Sequence, residues 1–289
     1  MRITIGIKSL KEADYFLKNG ADEIYFGPAA PSHRAAFSKE KEILDSIGLA
    51  RRLGKKSLLA LNEIYPREYY DFILDHARRL ADSGLDGIVV RDVALLEYFK
   101  SVKFRSYFVS SIMCSCFNSQ AMEFYKDLGV RRFTLHSQIL PEDARKMAGP
   151  SVKTESVIFV PCLFLEANIV PFCFFPYAGG PGARNLKGRP CRIGYKCGCH
   201  DFRMLESNLY FQAGILYDFH KLGVDWLKIA RQLNTPKLLA EFETTRVLNL
   251  LLEKGLDRKN FAEAVTELVK RADMSKYGSS YNFKPFPGR

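Results

Sequence analysis

Several signatures are missing from this 289-residue chain, and each absence removes a class of protein. No apolar run approaches bilayer length: the longest, near Ile158–Phe164, is too short and too interrupted to cross a hydrocarbon core. The opening MRITIGIKSLKEAD turns charged at once and has no apolar h-region before a cleavage site, so a cytosolic protein without a membrane partner is expected. There is no HExxH and no GxSxG, and no cysteine has the local context of a known thiol protease. The AGGPG turn at Ala178–Gly182 lacks the lysine and helix of a P-loop. Internal repeats and low-complexity linkers are absent. Seven cysteines, an odd number, argue against a full disulfide framework, and the two separated CxxC pairs of a zinc ribbon do not occur. Acidic residues are in short supply, 32 against 43 bases, which gives a net charge of +11 and a pI near 9.3. That excess suits a polyanion such as RNA, or an anionic substrate, although a basic solvated surface would produce it equally well.

What is present is concentrated. Five of the seven cysteines, Cys162, Cys173, Cys191, Cys197 and Cys199, fall in one stretch reading PCLFLEANIVPFCFFPYAGGPGARNLKGRPCRIGYKCGC. Thiols gathered this densely in a reducing compartment suggest a metal ion or an iron–sulfur cluster; buried free thiols are the plainer reading. Cys191, Cys197 and Cys199 have polar, loop-like surroundings. Arg184, Lys187, Arg189, Arg192, Lys196 and Arg203 crowd the same stretch, where they would hold phosphates or carboxylates and offset thiolate charge.

The rest of the chain alternates. Short β-branched or apolar runs at Arg2–Ile7, Asp22–Gly27, Lys56–Glu63, Asp86–Asp92, Phe104–Ser110, Arg131–His136, Glu155–Pro161 and Val224–Ala230 are separated by segments of helical period. Ser38 is the expected N-cap of the second helix, Gly54 its end, and Pro141 the first turn of the sixth. Eight such alternations predict a (β/α)8 TIM-like barrel over residues 1–255, with a doubly wound open sheet as second choice. A cysteine-rich insertion, residues 162–203, follows strand seven, and residues 256–289 read as a terminal helix and surface tail.

In a barrel, chemistry gathers where strands end. Asn62 and Glu63 end strand three, Asp92 strand four and His136 strand six; these are candidates for substrate binding or acid–base work, with ion pairs or helix caps as the competing explanation. Arg34, after strand two, is a candidate anion clamp. Lys228, inside strand eight, must be either structurally paired or used. Cys114 and Cys116 follow strand five and are read first as packing residues. His200, beside Cys199, is read first as a loop residue.

Several phrases, in order, resemble one family. GADEIYFG at Gly20–Gly27, GLDGIVVRD at Gly84–Asp92, LGVRRF at Leu128–Phe133, LGVDWLKIARQLNTPKLLA at Leu222–Ala240, and Cys191, Arg192 and Tyr195 as a CRxxY are similar to segments of the peptidase U32 family. That family was named for collagenase-like peptidases, yet it includes iron–sulfur proteins that hydroxylate RNA bases or ubiquinone precursors without molecular oxygen, the RNA-directed kind drawing on prephenate. The resemblance implies a [4Fe–4S] cluster held by Cys162, Cys173, Cys191 and one of Cys197 or Cys199, with zinc as the alternative metal. The chain departs from the pattern at Lys187, where a cysteine is expected, and at Ala230, where the family has glutamate. The resulting expectation is a divergent iron–sulfur enzyme that hydroxylates RNA or a small aromatic, the alternatives being a peptidase or a zinc-stapled RNA-binding protein. His136, Asp92, Glu63 and Lys228 are its expected catalytic set; Arg34, Asn62, Arg184, Arg189 and Arg192 its substrate-binding set.

Overall fold

The structure is a computed structural model that describes residues 1–27, 39–136, 139–147, 155–159, 194–197, 200–203, 209–229 and 235–271. Its strands are β1 (Arg2–Gly6), β2 (Glu23–Phe26), β3 (Lys56–Leu61), β4 (Gly87–Val90), β5 (Tyr107–Ser110), β6 (Val130–Leu135), β7 (Glu155–Phe159), β8 (Gly194–Cys197), β9 (His200–Arg203) and β10 (Trp226–Ile229). The helices are α1 (Leu10–Lys18), α2 (Glu40–Arg52), α3 (Tyr70–Asp82), α4 (Val93–Ser101), α5 (Ser119–Asp127), α6 (Pro141–Met147), α7 (Leu209–Lys221), α8 (Thr235–Glu253) and α9 (Arg258–Arg271).

Eight parallel strands close in the order β1-β10-β7-β6-β5-β4-β3-β2. Ring closure lies in the pairing of β1 with β10, where Thr4 faces Lys228 and Ile5 faces Ile229. That pairing removes the open-sheet alternative. The two-residue period explains both sides of the wall. Ile24, Phe26, Leu59, Leu61, Ile88, Val90, Phe108, Phe133 and Leu135 point outward into one large core beneath the helices. Tyr25, Leu58, Ala60, Val89 and Val109 alternate with them and form a separate inner cluster, with Tyr107 packed against it. A third cluster joins Leu227 to Ala213, Leu216, Leu248, Phe261 and Val265 of α7, α8 and α9. At Gly87 a Cβ would sit 2.4 Å from the Tyr107 carbonyl oxygen of the neighbouring β5, so no side chain fits.

Three local expectations need revision. α2 starts at Glu40, and the residue in its cap position is Lys39, which makes no side-chain cap bond; Ser38 lies outside the described residues. Residues 194–203 contain an antiparallel hairpin, β8 with β9, in which Cys197 pairs with His200. Cys197 is therefore a strand residue and not a loop residue, because the alternating GYKC and HDFR segments pair with each other rather than with the barrel. Asp92 is the N-cap of α4, as set out below.

Candidate active site at the carboxyl end of the barrel

The interior of the barrel carries charge. Glu23 and Arg132, on β2 and β6, are fully buried and joined by a 2.5 Å contact from Arg132 Nη2 to Glu23 Oε1. The Arg132 guanidinium also lies over the Trp226 ring, 4.4 Å from its centroid. The pair carries a large desolvation cost, and the second carboxylate oxygen, Glu23 Oε2, is buried with no hydrogen-bond partner among the described residues.

Lys228 sits one pleat further toward the carboxyl end than Trp226, and is only 6% exposed. Its Nζ rests over the Tyr25 ring, 4.6 Å from the centroid. The ring is held by its hydroxyl, which donates to the Ile229 carbonyl at 3.2 Å. Among the described residues Lys228 has no ion pair; Glu23, whose charge reaches it, meets Arg132 through Oε1. Burial pulls the Lys228 ammonium down to about 8; Arg132 adds to the fall, while Glu23 and Cys114 oppose it. At neutral pH it is thus a dehydrated cation, held by an aromatic face and open to an anionic partner.

His136 ends β6 and is buried. Its ring meets Phe117 at 4.7 Å, and Phe117 itself is 44% exposed at the rim. Burial pushes the His136 pKa down, so the imidazole is neutral at pH 7 and able to accept a proton. Cys114, in the turn after β5, directs its thiol to the Val90 carbonyl at 3.3 Å. Burial pushes the Cys114 thiol up to about 11 and the Cys116 thiol to about 12, so both stay protonated at neutral pH. Asn62 and Glu63 are half-buried where β3 ends, and the buried Asn62 Oδ1 has no hydrogen-bond partner. By the pleat, Asn62 continues the inward series Leu58 and Ala60.

Asp92 is different. Its Oδ1 accepts from the Ala94 and Leu95 amides at 3.0 and 3.4 Å, capping α4. Its Oδ2 accepts from the Tyr65 amide at 3.2 Å and the Tyr70 hydroxyl at 3.1 Å. A buried carboxylate with both oxygens taken up this way ties the loop after β3 to α4, and that is a structural task rather than proton transfer. The competing explanation from the sequence, a cap, is the one the geometry supports.

The structure thus brings Lys228, His136, Asn62 and Glu63 to one end of the barrel. Arg34, Arg184, Arg189 and Arg192, and Cys162, Cys173, Cys191 and Cys199, lie outside the described residues, and of Cys197 only the backbone is described. Among the described residues no group of three or more His, Cys, Asp or Glu side chains is arranged to hold a metal ion. Tyr25, Arg132 and Glu23 escaped the sequence reading. A polar residue at every second position of a buried strand was the available signal, since inward charges in a barrel must find one another across strands far apart in sequence.

A closed parallel barrel with a polar, cationic carboxyl end is the architecture on which barrel enzymes assemble their active sites. The model of peptidase family U32 matches residues 8–285, and the chain belongs to that family. The fold is similar to that of the U32 peptidase Mk0906, with a TM-score of 0.54 and 16% identity over 81% of this chain and 94% of that one. Among curated proteins the chain is 26% identical over 144 residues to tRNA hydroxylation protein P1 of Bacillus subtilis (strain 168). That match covers 49% of this chain and 33% of the relative, so the chain spans about a third of the curated protein it matches. No helix among the described residues is long and apolar enough to cross a membrane.

Proposed function

We propose that this chain is an RNA-modifying enzyme of the U32 family, a hydroxylase by class, which receives an anionic substrate at the carboxyl end of the barrel. The observation that carries the reading is Lys228: a buried cation above Tyr25, with no counter-ion among the described residues, at the position where barrel enzymes hold substrate. The chemistry named in the curated relative, tRNA hydroxylation, supports RNA as the substrate class. Lys228 binds a phosphate or carboxylate of the substrate complex. Neutral His136 accepts a proton, and the exposed face of Phe117 beside it offers a surface on which a base stacks.

An iron–sulfur cluster on Cys162, Cys173, Cys191 and one of Cys197 or Cys199 belongs to the same proposal, as does prephenate as co-substrate. Soft thiolate donors suit such a cluster, and the hairpin register sets Cys197 opposite His200 at the end of that stretch. When bound, the cluster supplies redox chemistry that these side chains lack. Peptide hydrolysis is the less favoured reading, because the two cysteines at this end whose side chains are described are protonated thiols and not activated nucleophiles.

The test is nucleoside mass spectrometry of tRNA and rRNA from cells lacking the gene, from complemented cells, and from cells carrying Lys228→Met. The expected result is one hydroxylated nucleoside that disappears on deletion and does not return with the variant. An unchanged nucleoside profile overturns the reading. Anoxically purified protein is expected to contain iron and acid-labile sulfide, and stoichiometric zinc without iron would replace the cluster by a zinc staple.

A further inference from the structure

A second basic feature lies at the opposite, amino-terminal end of the barrel, away from the site just described. A cleft of about 350 Å³ opens between the loop that leads from α4 into β5 and the turn that leads from α5 into β6. Lys100, Lys103, Arg105 and Arg131 line it, with Phe104 in its wall and Asp127 as its one carboxylate. All four cations are exposed, and none forms an ion pair among the described residues. Two helices end here. Even allowing about half a unit of negative charge at each helix terminus, and one for Asp127, the four cations leave the cleft positive.

The backbone supplies a separate observation. α3 and α4 end in the same way. Leu85 N–H bonds to the Leu80 carbonyl and Phe104 N–H to the Phe99 carbonyl, and the residue before each bonds three back, a pattern that puts one residue in the left-handed region. After α3 that residue is Gly84, at φ 100°, and a left-handed glycine, Gly129 at φ 95°, also follows α5. After α4 it is Lys103, at φ 54°. A lysine there carries a steric penalty that glycine avoids. Its side chain lines the cleft, so the strained position is where a cation has been placed.

We infer that this cleft docks the phosphate backbone of the RNA on which the barrel acts, with Lys100, Lys103, Arg105 and Arg131 as its contacts. The inference rests on the proposed RNA substrate and adds to it a second anchoring point, remote from the chemistry. Sequence-independent phosphate contacts of this kind position a substrate without reading it.

Lys103→Gly separates binding from folding, because it removes the cation while relaxing the backbone. The full chain is titrated against fluorescein-labelled tRNA by anisotropy at several salt concentrations. Lys100→Gln and Arg131→Gln leave the backbone unaltered, and Lys254→Ala, at an exposed lysine in the turn after α8, serves as a charge-matched control. Lys103→Gly is expected to melt at or above the wild-type temperature, to bind several-fold more weakly, and to lower the slope of log K against log salt by about 1. Lys100→Gln and Arg131→Gln are expected to lower it alike, and the control to change neither. If the cleft variants and Lys254→Ala behave alike, or if millimolar inorganic phosphate alone saturates the cleft and leaves tRNA binding intact, the docking site is refuted while an RNA substrate stands. If wild-type protein binds no tRNA at low salt, the RNA reading fails as well.

Discussion

Replacing Lys228 by methionine tests the energetic logic of the barrel mouth. The folded chain holds the Lys228 proton only up to about pH 8, against an ordinary value of 10.5. The folded-state value is depressed, so between these values unfolding takes up a proton, and stability from this group climbs as pH rises from 8 to 10.5. Below pH 8 the ammonium is charged in both states and its burial costs about 3 kcal/mol, from roughly 1.4 kcal/mol for each pKa unit of displacement. Lys228→Met removes that cost and also the contact with the Tyr25 ring, worth about 1 kcal/mol. The expected gain at pH 7 is therefore about 2 kcal/mol, shrinking toward zero or reversing by pH 10.5. Urea unfolding of both proteins at pH 7, 8.5 and 10 measures it, and the difference between them cancels the tyrosines and other lysines that titrate in the same range. A variant less stable than wild type at pH 7, with a difference that does not change with pH, would refute the reasoning. It would mean that the ammonium already has a strong partner in the folded chain and is not held ready for an anion.

Other parts of the structure make independent demands. Asp92→Ala is expected to cost about 3 kcal/mol in urea unfolding, since it removes the α4 cap and leaves the Tyr65 amide without its buried acceptor. In Asp92→Asn the Tyr70 hydroxyl, pushed up to about 12 by burial and the Asp92 charge, is expected to titrate lower in ultraviolet difference spectra. Arg132→Met alone is expected to cost roughly 4 kcal/mol, because Glu23 is left as a buried uncompensated charge, whereas Arg132→Met with Glu23→Leu is expected to recover most of that loss.

The barrel was legible because its signal is local. Each strand is four to six residues of apolar or β-branched character, each helix repeats its apolar face, and a glycine closes most turns of the pattern. Ring closure was legible only by count, eight strands being what a closed parallel ring needs. The N-cap of α2 was misplaced because Ser38 is the better capping residue, yet the helix begins at Glu40, one residue late for it. The hairpin of β8 and β9 was missed for a related reason. Its strands are four residues each, and cysteine, lysine and histidine in them carry no strand signal of their own.

The site was legible in part, and the part that was missed has a common cause. Strand-end positions follow from the fold, so His136, Asn62 and Glu63 could be placed without coordinates, and Lys228 within the last barrel strand. Whether a carboxylate at such a position is chemical or structural depends on what donates to it. Asp92 receives from Tyr65 and Tyr70, 27 and 22 residues away in sequence, and no local pattern announces that. Glu23 and Arg132 meet across 109 residues. That pairing also bears on Lys228, which is pulled down first by burial and then by Arg132, while Glu23 opposes the fall. Because Arg132 occupies the carboxylate, the interior holds one more cation than anion among these three groups, and an anion from outside is the partner that would balance it.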